Sequence, residues 1–129
     1  MKEVMAQGTF DLIHPGHIHY LKKSAELGGK LTVIIACDSR VEKDTYFSEK
    51  ERKEIVDNLK PVDKAVVGNE GSIYRVLKEI KPDVITLGHD QEHDQEQVKQ
   101  MAEDVTGHEV EVSRISKKGD YSSSKIRDH

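Results

Sequence analysis

The residues best suited to phosphate chemistry lie in one short segment near the N-terminus, which runs Gly-Thr-Phe-Asp-Leu-Ile-His-Pro-Gly-His from Gly8 to His17. Gly8 allows a sharp turn with exposed backbone, and Pro15 suits the first turn of a helix, where its missing N–H would be unpaired anyway. The N-terminal amides and the dipole of such a helix favour an anion. His14 and His17, three residues apart at the helix start, add two imidazoles, so the segment predicts a phosphate-binding cradle.

The same histidines allow two other interpretations. They could be surface residues near a turn, or ligands of a metal ion with His-x-x-His spacing. A catalytic zinc needs a third protein ligand and a structural zinc a fourth, and no such pattern accompanies His14 and His17. Asp11, in the same segment, is expected either to order the histidine loop or a metal ion, or to cap the local structure.

A second group of polar residues lies close to the C-terminus. Residues 114–129 hold five Lys or Arg against two acids, which is compatible with anion binding or with a solvated basic end. Within it, residues 121–126 read Tyr-Ser-Ser-Ser-Lys-Ile. Hydroxyls at a turn that opens a helix cap its amides and can cradle a phosphate, with Lys125 adding charge. In isolation such a serine run is more typical of a disordered tail.

Both segments need a scaffold of regular elements. Apolar and β-branched runs predict five strands, at residues 2–7, 31–37, 64–67, 83–87 and 109–115. Amphipathic helical spacing lies between them, most clearly at Ile73, Val76, Leu77 and Ile80 and at Val98, Met101, Ala102 and Val105. The alternation predicts one domain, 1–129, of α/β class: an open five-stranded parallel sheet with helices on both faces. A ligand would bind beyond the carboxyl ends of the strands, at the topological switch point.

Composition excludes several classes of function. The 129 residues are 35% hydrophobic and 34% charged, as in ordinary globular proteins, and the net charge of −4 argues against a general nucleic-acid binder. The only cysteine, Cys37, excludes an internal disulfide framework and follows an apolar run, which predicts a core residue. No apolar run approaches the length of a membrane span or a signal peptide, so we expect a cytoplasmic protein without a membrane partner.

Four segments in order resemble motifs of the cytidylyltransferase-like nucleotidyltransferases, a family that includes glycerol-3-phosphate cytidylyltransferases and archaeal FAD synthetases. Residues 8–17 resemble its His-x-Gly-His signature and residues 48–53 its Glu-x-Arg segment. Residues 82–91 resemble its Gly-x-Asp segment after the fourth strand, and residues 121–126 its Ile-Ser-Thr-Thr-Lys-Ile motif. The resemblance covers nearly the whole chain and implies a Rossmann-like sheet and a homodimer.

The resemblance also implies a reaction. A nucleoside monophosphate would pass from a nucleoside triphosphate to a phosphorylated small molecule, with release of pyrophosphate and no covalent enzyme intermediate. His14, His17 and Lys125 are the expected catalytic residues, assisted by Mg²⁺ or another divalent cation. Arg52 and Arg114 are expected to bind the acceptor. Nucleotide binding is expected at Gly8, Thr9, Phe10, Asp11, His14, Gly16, His17, Lys43, Gly88, Asp90, Gln91, Tyr121, Ser122, Ser123, Ser124 and Lys125.

One segment departs from the family pattern. Family members usually carry a longer lysine-bearing loop after the second strand, whereas residues 41–47 are short and hold a single lysine, Lys43. This departure leaves open which lysine binds the triphosphate, and Lys43 is the one that this loop offers.

Two motifs point to different substrates. Residues 81–91, with Gly88, Asp90 and Gln91, resemble archaeal FAD synthetases and favour adenylyl transfer from ATP to FMN. The Ser-Ser-Ser-Lys-Ile tail instead resembles enzymes that transfer cytidylyl from CTP to a glycerol or sugar phosphate. Of the two, we predict adenylyl transfer from ATP to FMN, with cytidylyl transfer as the alternative. A non-catalytic nucleotide-binding module is the alternative of another class. A flavodoxin-like carrier is disfavoured, because its first loop would be rich in glycine and hydroxyls.

Overall fold

The computed structural model describes residues 2–37, 45–68, 73–88 and 94–115, with the backbone alone for Ile73 and Tyr74. Strand and helix alternate through these ranges. The elements are β1 (Glu3–Gly8), α1 (Pro15–Ala25), β2 (Lys30–Ile35), α2 (Glu49–Asp57), β3 (Lys64–Val67), α3 (Ile73–Ile80), β4 (Val84–Leu87), α4 (Gln95–Thr106) and β5 (Glu111–Arg114). The predicted alternation is confirmed, and α1 begins at the predicted proline.

The five strands form one parallel sheet in the order β3-β2-β1-β4-β5. The first half of the chain extends the sheet from β1 towards β3, and the second half starts again on the other side of β1 with β4. The junction of β1 and β4 is therefore the topological switch point, where ligands bind in open α/β sheets. Because all strands are parallel, every loop that follows a strand lies at one edge, the carboxyl edge.

Two apolar clusters cover the two faces of the sheet, as alternation along each strand requires. Val4 of β1 belongs to one cluster with Leu21 of α1 and Val56 of α2. Its neighbour Met5 faces the other way and belongs to the second cluster with Leu77 of α3. The sheet is thus buried on both sides, which explains the continuous apolar character of the central strands. No helix in the described ranges has the length and apolarity needed to cross a bilayer.

An ion pair within α4, between Lys99 and Glu103, is hydrogen-bonded to the backbone of Val110, just ahead of β5. The Glu103 carboxylate accepts from the Val110 backbone N–H at 3.0 Å and from Lys99 Nζ at 3.0 Å. Lys99 Nζ also donates to the Val110 carbonyl at 2.7 Å. The Val110 amide, followed by the Lys99 ammonium, lowers the pKa of Glu103, and the hydrogen bond to Glu103 raises the pKa of Lys99.

We expect Glu103→Gln to lower the free energy of unfolding at neutral pH, because the ionised form is the one that both donors stabilise. A folded-state pKa below the unfolded value stabilises the protein above the unfolded pKa of about 4.3, and this stabilisation is lost as the pH falls through the folded pKa. Denaturant unfolding from neutral to acidic pH should show the variant and wild type converging as the pH falls through the folded-state pKa of Glu103. Glu79→Gln, at an exposed site on α3, is the control. A difference that persists unchanged in acid would contradict the linkage.

Candidate active site

The turn after β1 depends on the absence of a side chain at Gly8. The Phe10 ring folds back over this glycine, so that a Cβ at Gly8 would lie 2.8 Å from Phe10 Cε2. Phe10 itself has a φ of 53° and is 3% exposed. A bulky residue in the left-handed region costs about 1–3 kcal/mol and persists only where the surroundings enforce it. The turn is therefore a strained, packed feature directly ahead of the histidine segment.

His14 and His17 form a reciprocal capping box at the start of α1. His14 is the N-cap, and its Nδ1 accepts from the Gly16 backbone N–H at 3.0 Å. His17 Nδ1 accepts from the His14 backbone N–H at 3.2 Å, and the two ring centroids lie 3.9 Å apart. Ser or Thr with Glu or Gln usually fill these two positions. The structure thus brings the two predicted imidazoles together at the predicted helix start.

The capping bonds determine which ring nitrogen carries the proton. A nitrogen that accepts from a backbone N–H has no hydrogen of its own, so in each neutral ring the proton lies on Nε2. Both Nε2 atoms are therefore donors, with ring orientations set by the helix end. The site presents two oriented N–H donors beside the positive end of a helix dipole, which is an arrangement suited to a phosphate.

Asp11 anchors the segment that leads into α2. Its buried carboxylate accepts from the backbone N–H groups of Tyr46 and Phe47, both at 3.1 Å. Of the alternatives for Asp11, these bonds support the ordering of local structure. They join the turn after β1 to the start of the second helical segment, where Ser48 and Glu51 form a capping box.

Arg52 joins two loops, the one after β1 and the one between β2 and α2, which it contacts at both ends. Its Nη1 donates to the carbonyls of Thr9 and Ala36, both at 2.8 Å, and its Nε donates to the Phe47 carbonyl at 3.1 Å. The side chain has 0% exposure. This placement differs from the prediction that Arg52 binds the acceptor, because a side chain without exposed surface has none with which to contact it in this conformation.

Gly88 and Arg114 lie together at the carboxyl edge, across the switch point from the histidines. Arg114 Nη1 donates to the Gly88 carbonyl at 2.9 Å, and the Ile115 N–H donates to the Leu87 carbonyl at 2.8 Å. Arg114 is the last residue of β5, and it is exposed. Of the two predicted acceptor-binding arginines, Arg114 is the one that faces solvent at the predicted edge.

The other predicted site residues lie outside the described ranges. They are Lys43, Asp90, Gln91, Tyr121, Ser122, Ser123, Ser124 and Lys125. Among the residues that the structure does describe, no three His, Cys, Asp or Glu side chains are grouped so as to hold a metal ion.

One buried polar cluster beside the site was not predicted from the sequence. Tyr20, Ser24 and Thr86 are linked by hydrogen bonds between α1 and β4, with Ser24 Oγ and Thr86 Oγ1 2.8 Å apart. Periodicity conceals this cluster, since Tyr20 lies on the apolar face of α1 and Thr86 lies inside an apolar strand. A serine and a tyrosine four residues apart on that face are the one available signal.

Comparisons with known proteins show the family of this chain. A family model described as cytidylyltransferase-like matches residues 5–129. The FAD synthase of Thermoplasma acidophilum is 43% identical over 120 residues, which cover 91% of this chain and 84% of the relative. The FAD synthase of Methanothermus fervidus is 52% identical over 100 residues, covering 73% and 69%.

Solved structures show the same fold. The lipopolysaccharide core biosynthesis protein from Thermoplasma volcanium superposes with a TM-score of 0.87 and 43% identity, covering 92% of this chain and 98% of that one. Pantothenate synthetase from Thermus thermophilus has a TM-score of 0.58 at 15% identity, over 89% of this chain and 55% of that one, and supports the fold alone. The predicted Rossmann-like α/β sheet is confirmed.

We expect Arg52→Lys to lower the free energy of unfolding by about 3 kcal/mol, because an ammonium cannot reach three carbonyls in the planar fork that the guanidinium provides. Denaturant unfolding at neutral pH measures the change. Lys50→Met removes a charge from an exposed site on the same helix and should change stability by less than about 0.5 kcal/mol. A loss for Arg52→Lys as small as that of this control would show that the three carbonyls do not depend on the guanidinium.

Proposed function

The chain belongs to the cytidylyltransferase-like family, and we propose that it is an FMN adenylyltransferase, which transfers AMP from ATP to FMN and releases pyrophosphate. The resemblance found in its motifs to nucleotidyltransferases is confirmed by the family match over residues 5–129. The choice of substrate is supported by relatives named FAD synthase, at 43% and 52% identity. The observation that carries the proposal is the pair of histidines that cap α1 through their Nδ1 atoms, in the loop after β1 at the switch point of the sheet.

The chemistry requires little from the protein beyond position and charge. An oxygen of the FMN phosphate attacks the α-phosphorus of ATP, and the bond from that phosphorus to the β-phosphate oxygen breaks in line. The electron pair leaves with pyrophosphate, and no side chain needs to become covalently attached. Negative charge spreads over the transferring phosphate, and the His14 and His17 Nε2–H groups are placed to donate to it. Such pre-oriented donors stabilise a transition state without reorganising.

The remaining predicted residues take their places around these donors. We propose that half-buried Gly8 and exposed Thr9, with the Gly16 amide, border the phosphates, and that Arg114 and Gly88 border the other side of the site. Phe10 and Asp11 are buried, so we assign them to the shape of the loop. Lys43, Asp90, Gln91 and the 121–125 segment keep the nucleotide-binding roles that their motifs suggest.

The cation is proposed from chemistry alone. Mg²⁺ is commonly held by one or two carboxylates together with substrate phosphates. The described residues offer no ready-made group of three ligands, and both oxygens of the Asp11 carboxylate already accept backbone amides. We therefore propose that Mg²⁺, or another divalent ion, enters bound to the triphosphate. We also propose that the protein is a homodimer, which the family resemblance supports. We propose a cytoplasmic location, which a composition with one buried cysteine supports.

A second candidate is cytidylyl transfer from CTP to a glycerol or sugar-type phosphate. The serine-rich segment at 121–126, which resembles the cytidylyltransferase motif, favours it.

The substrate test is direct. Incubated with Mg²⁺, ATP and FMN, the protein should form FAD and pyrophosphate, both quantified by chromatography and a coupled assay, and CTP should replace ATP poorly. Discrimination is expected to be strong, because the wrong base leaves buried polar groups unpaired. Formation of a cytidine diphosphate product from CTP and glycerol 3-phosphate, without FAD, would select the second candidate. Absence of pyrophosphate with every pair would leave the non-catalytic module.

The histidines can be tested without disturbing the helix that they cap. His14→Asn and His17→Gln keep side-chain acceptors suited to the N-cap and N3 positions, but both remove an Nε2–H donor. We expect turnover to fall on the order of a hundredfold in each, with the melting temperature nearly unchanged. His14→Ala loses the cap as well and should also be destabilised by about 1 kcal/mol.

His108→Asn is the control for these variants, since it removes an imidazole at the opposite edge of the sheet, beside Pro82. It should keep wild-type turnover. If His14→Asn and His17→Gln fold and turn over like wild type, the histidines are structural caps and the proposed role is wrong.

A further inference from the structure

The two central strands separate before either of them ends. β1 pairs with β2 along its whole length, as far as Gly8 opposite Ile35. With β4 it pairs only at Val4 opposite Val84 and Met5 opposite Ile85. Yet β4 continues and pairs with β5 as far as Leu87. The gap therefore opens on the carboxyl side of Met5, at the switch point.

A single hydroxyl occupies the place where the ladder should continue. At this register the next bond between the two strands would run from the Gln7 N–H to the Thr86 carbonyl. Instead, the Gln7 N–H donates to Tyr20 Oη at 3.3 Å, and Tyr20 Oη donates to the Thr86 carbonyl at 2.8 Å. The phenol replaces one direct bond by two, with an oxygen between the strands. Only a group that both accepts and donates can do this.

The same side chain supports the histidine segment. Tyr20 lies on α1, 9% exposed, and its ring stacks on Phe10 at 6.4 Å with an interplanar angle of 21°. The Phe10 ring in turn lies against the His17 ring, with 5.5 Å between the two ring centroids. Ser24, one turn further along α1, bonds to the Tyr20 carbonyl and contacts the Thr86 hydroxyl. The inserted hydroxyl is thus held between the strands by a packed, hydrogen-bonded helix face.

We propose that Tyr20 is a positioning residue, whose hydroxyl holds β1 and β4 apart and so keeps open the crevice in which the nucleoside triphosphate binds beside His14 and His17. Crevices at switch points form where neighbouring strands diverge, and here the divergence begins at this side chain. The inference rests on the proposed function for the identity of the ligand. The separation of the strands does not depend on that identity.

Tyr20→Phe and Ser24→Ala form a matched pair of variants. Each deletes one buried hydroxyl from the same cluster, so both should lower the melting temperature. Only Tyr20→Phe leaves the Gln7 N–H and the Thr86 carbonyl to meet directly. Calorimetric titration with α,β-methylene-ATP, which cannot release pyrophosphate, should show affinity falling by about tenfold or more in Tyr20→Phe and by less than about twofold in Ser24→Ala. Equal affinities in the two variants, whether reduced or unchanged, would overturn the proposal.

The strand separation has a readout that needs no activity. In wild type, NMR should show no scalar coupling across a hydrogen bond from the Gln7 nitrogen to the Thr86 carbonyl carbon. In Tyr20→Phe this coupling should appear as the ladder closes. A direct coupling in wild type would overturn the proposal, whatever the protein catalyses.

Two further outcomes are separable. If Tyr20→Phe does not fold, wild type is titrated with α,β-methylene-ATP and followed by NMR. The amide resonances of Gly8 and Gly88, which flank the crevice, should shift. Unmoved resonances in a bound complex would overturn the inference. Where wild type binds α,β-methylene-ATP and the variants behave as expected, but no FAD forms, the proposed acceptor fails and the inference stands.

Discussion

Three carbonyl oxygens, from Thr9, Ala36 and Phe47, converge on the buried guanidinium of Arg52. A charged group without exposed surface is tolerated only where hydrogen bonds replace its hydration, and removing such partners costs several kcal/mol. The loops after β1 and β2 and the segment before α2 are therefore held at the positions where their carbonyls meet this cation. Asp11 completes the arrangement, since it accepts the Phe47 N–H while Arg52 binds the Phe47 carbonyl. The turn that leads to the histidines is therefore held in place by Arg52 and Asp11.

The order of the strands explains why Arg52 and its carbonyl partners lie beside the proposed site. β1 is the central strand, and the chain builds outward from it in both directions. The loop after β1 is consequently flanked by the loop after β2 on one side and by the end of β4 on the other. On the first side Arg52 draws the loops together, and on the second Tyr20 keeps the strands apart. Among the described residues, β1 stays paired with β2 on one side and separates from β4 on the other, and the proposed crevice lies on the side of this separation.

The sequence predicts the strands, turns and helix start around this site well, but it does not predict the hydrogen bonds of the buried side chains beneath it. The apolar runs and the Gly8-to-Pro15 spacing predict the strands, the sharp turn and the start of α1, because these follow from local conformational preferences. The role of Arg52 does not follow, since a Glu-x-Arg segment indicates a charge but not whether the side chain points to solvent or beneath the loops. The role of the Tyr20 hydroxyl could not be predicted for a related reason. Its position on an apolar helix face predicts packing, whereas its hydroxyl acts on Gln7 and Thr86, which are distant in sequence and meet it only in the folded sheet.

The histidine capping box unites the stability of α1 with the chemistry proposed for the site. Ser and Glu at these positions would cap the helix equally well, as Ser48 and Glu51 do for α2, but would offer no N–H to an anion. Lysines would offer charge but no acceptor for the backbone amides. An imidazole has both an acceptor and a donor on one rigid ring, so satisfying the helix amides at Nδ1 also places the proton of the neutral ring on Nε2 and fixes the ring orientation. Formation of the helix end and alignment of the two donors are therefore one event, and the donors need no further ordering when a phosphate arrives.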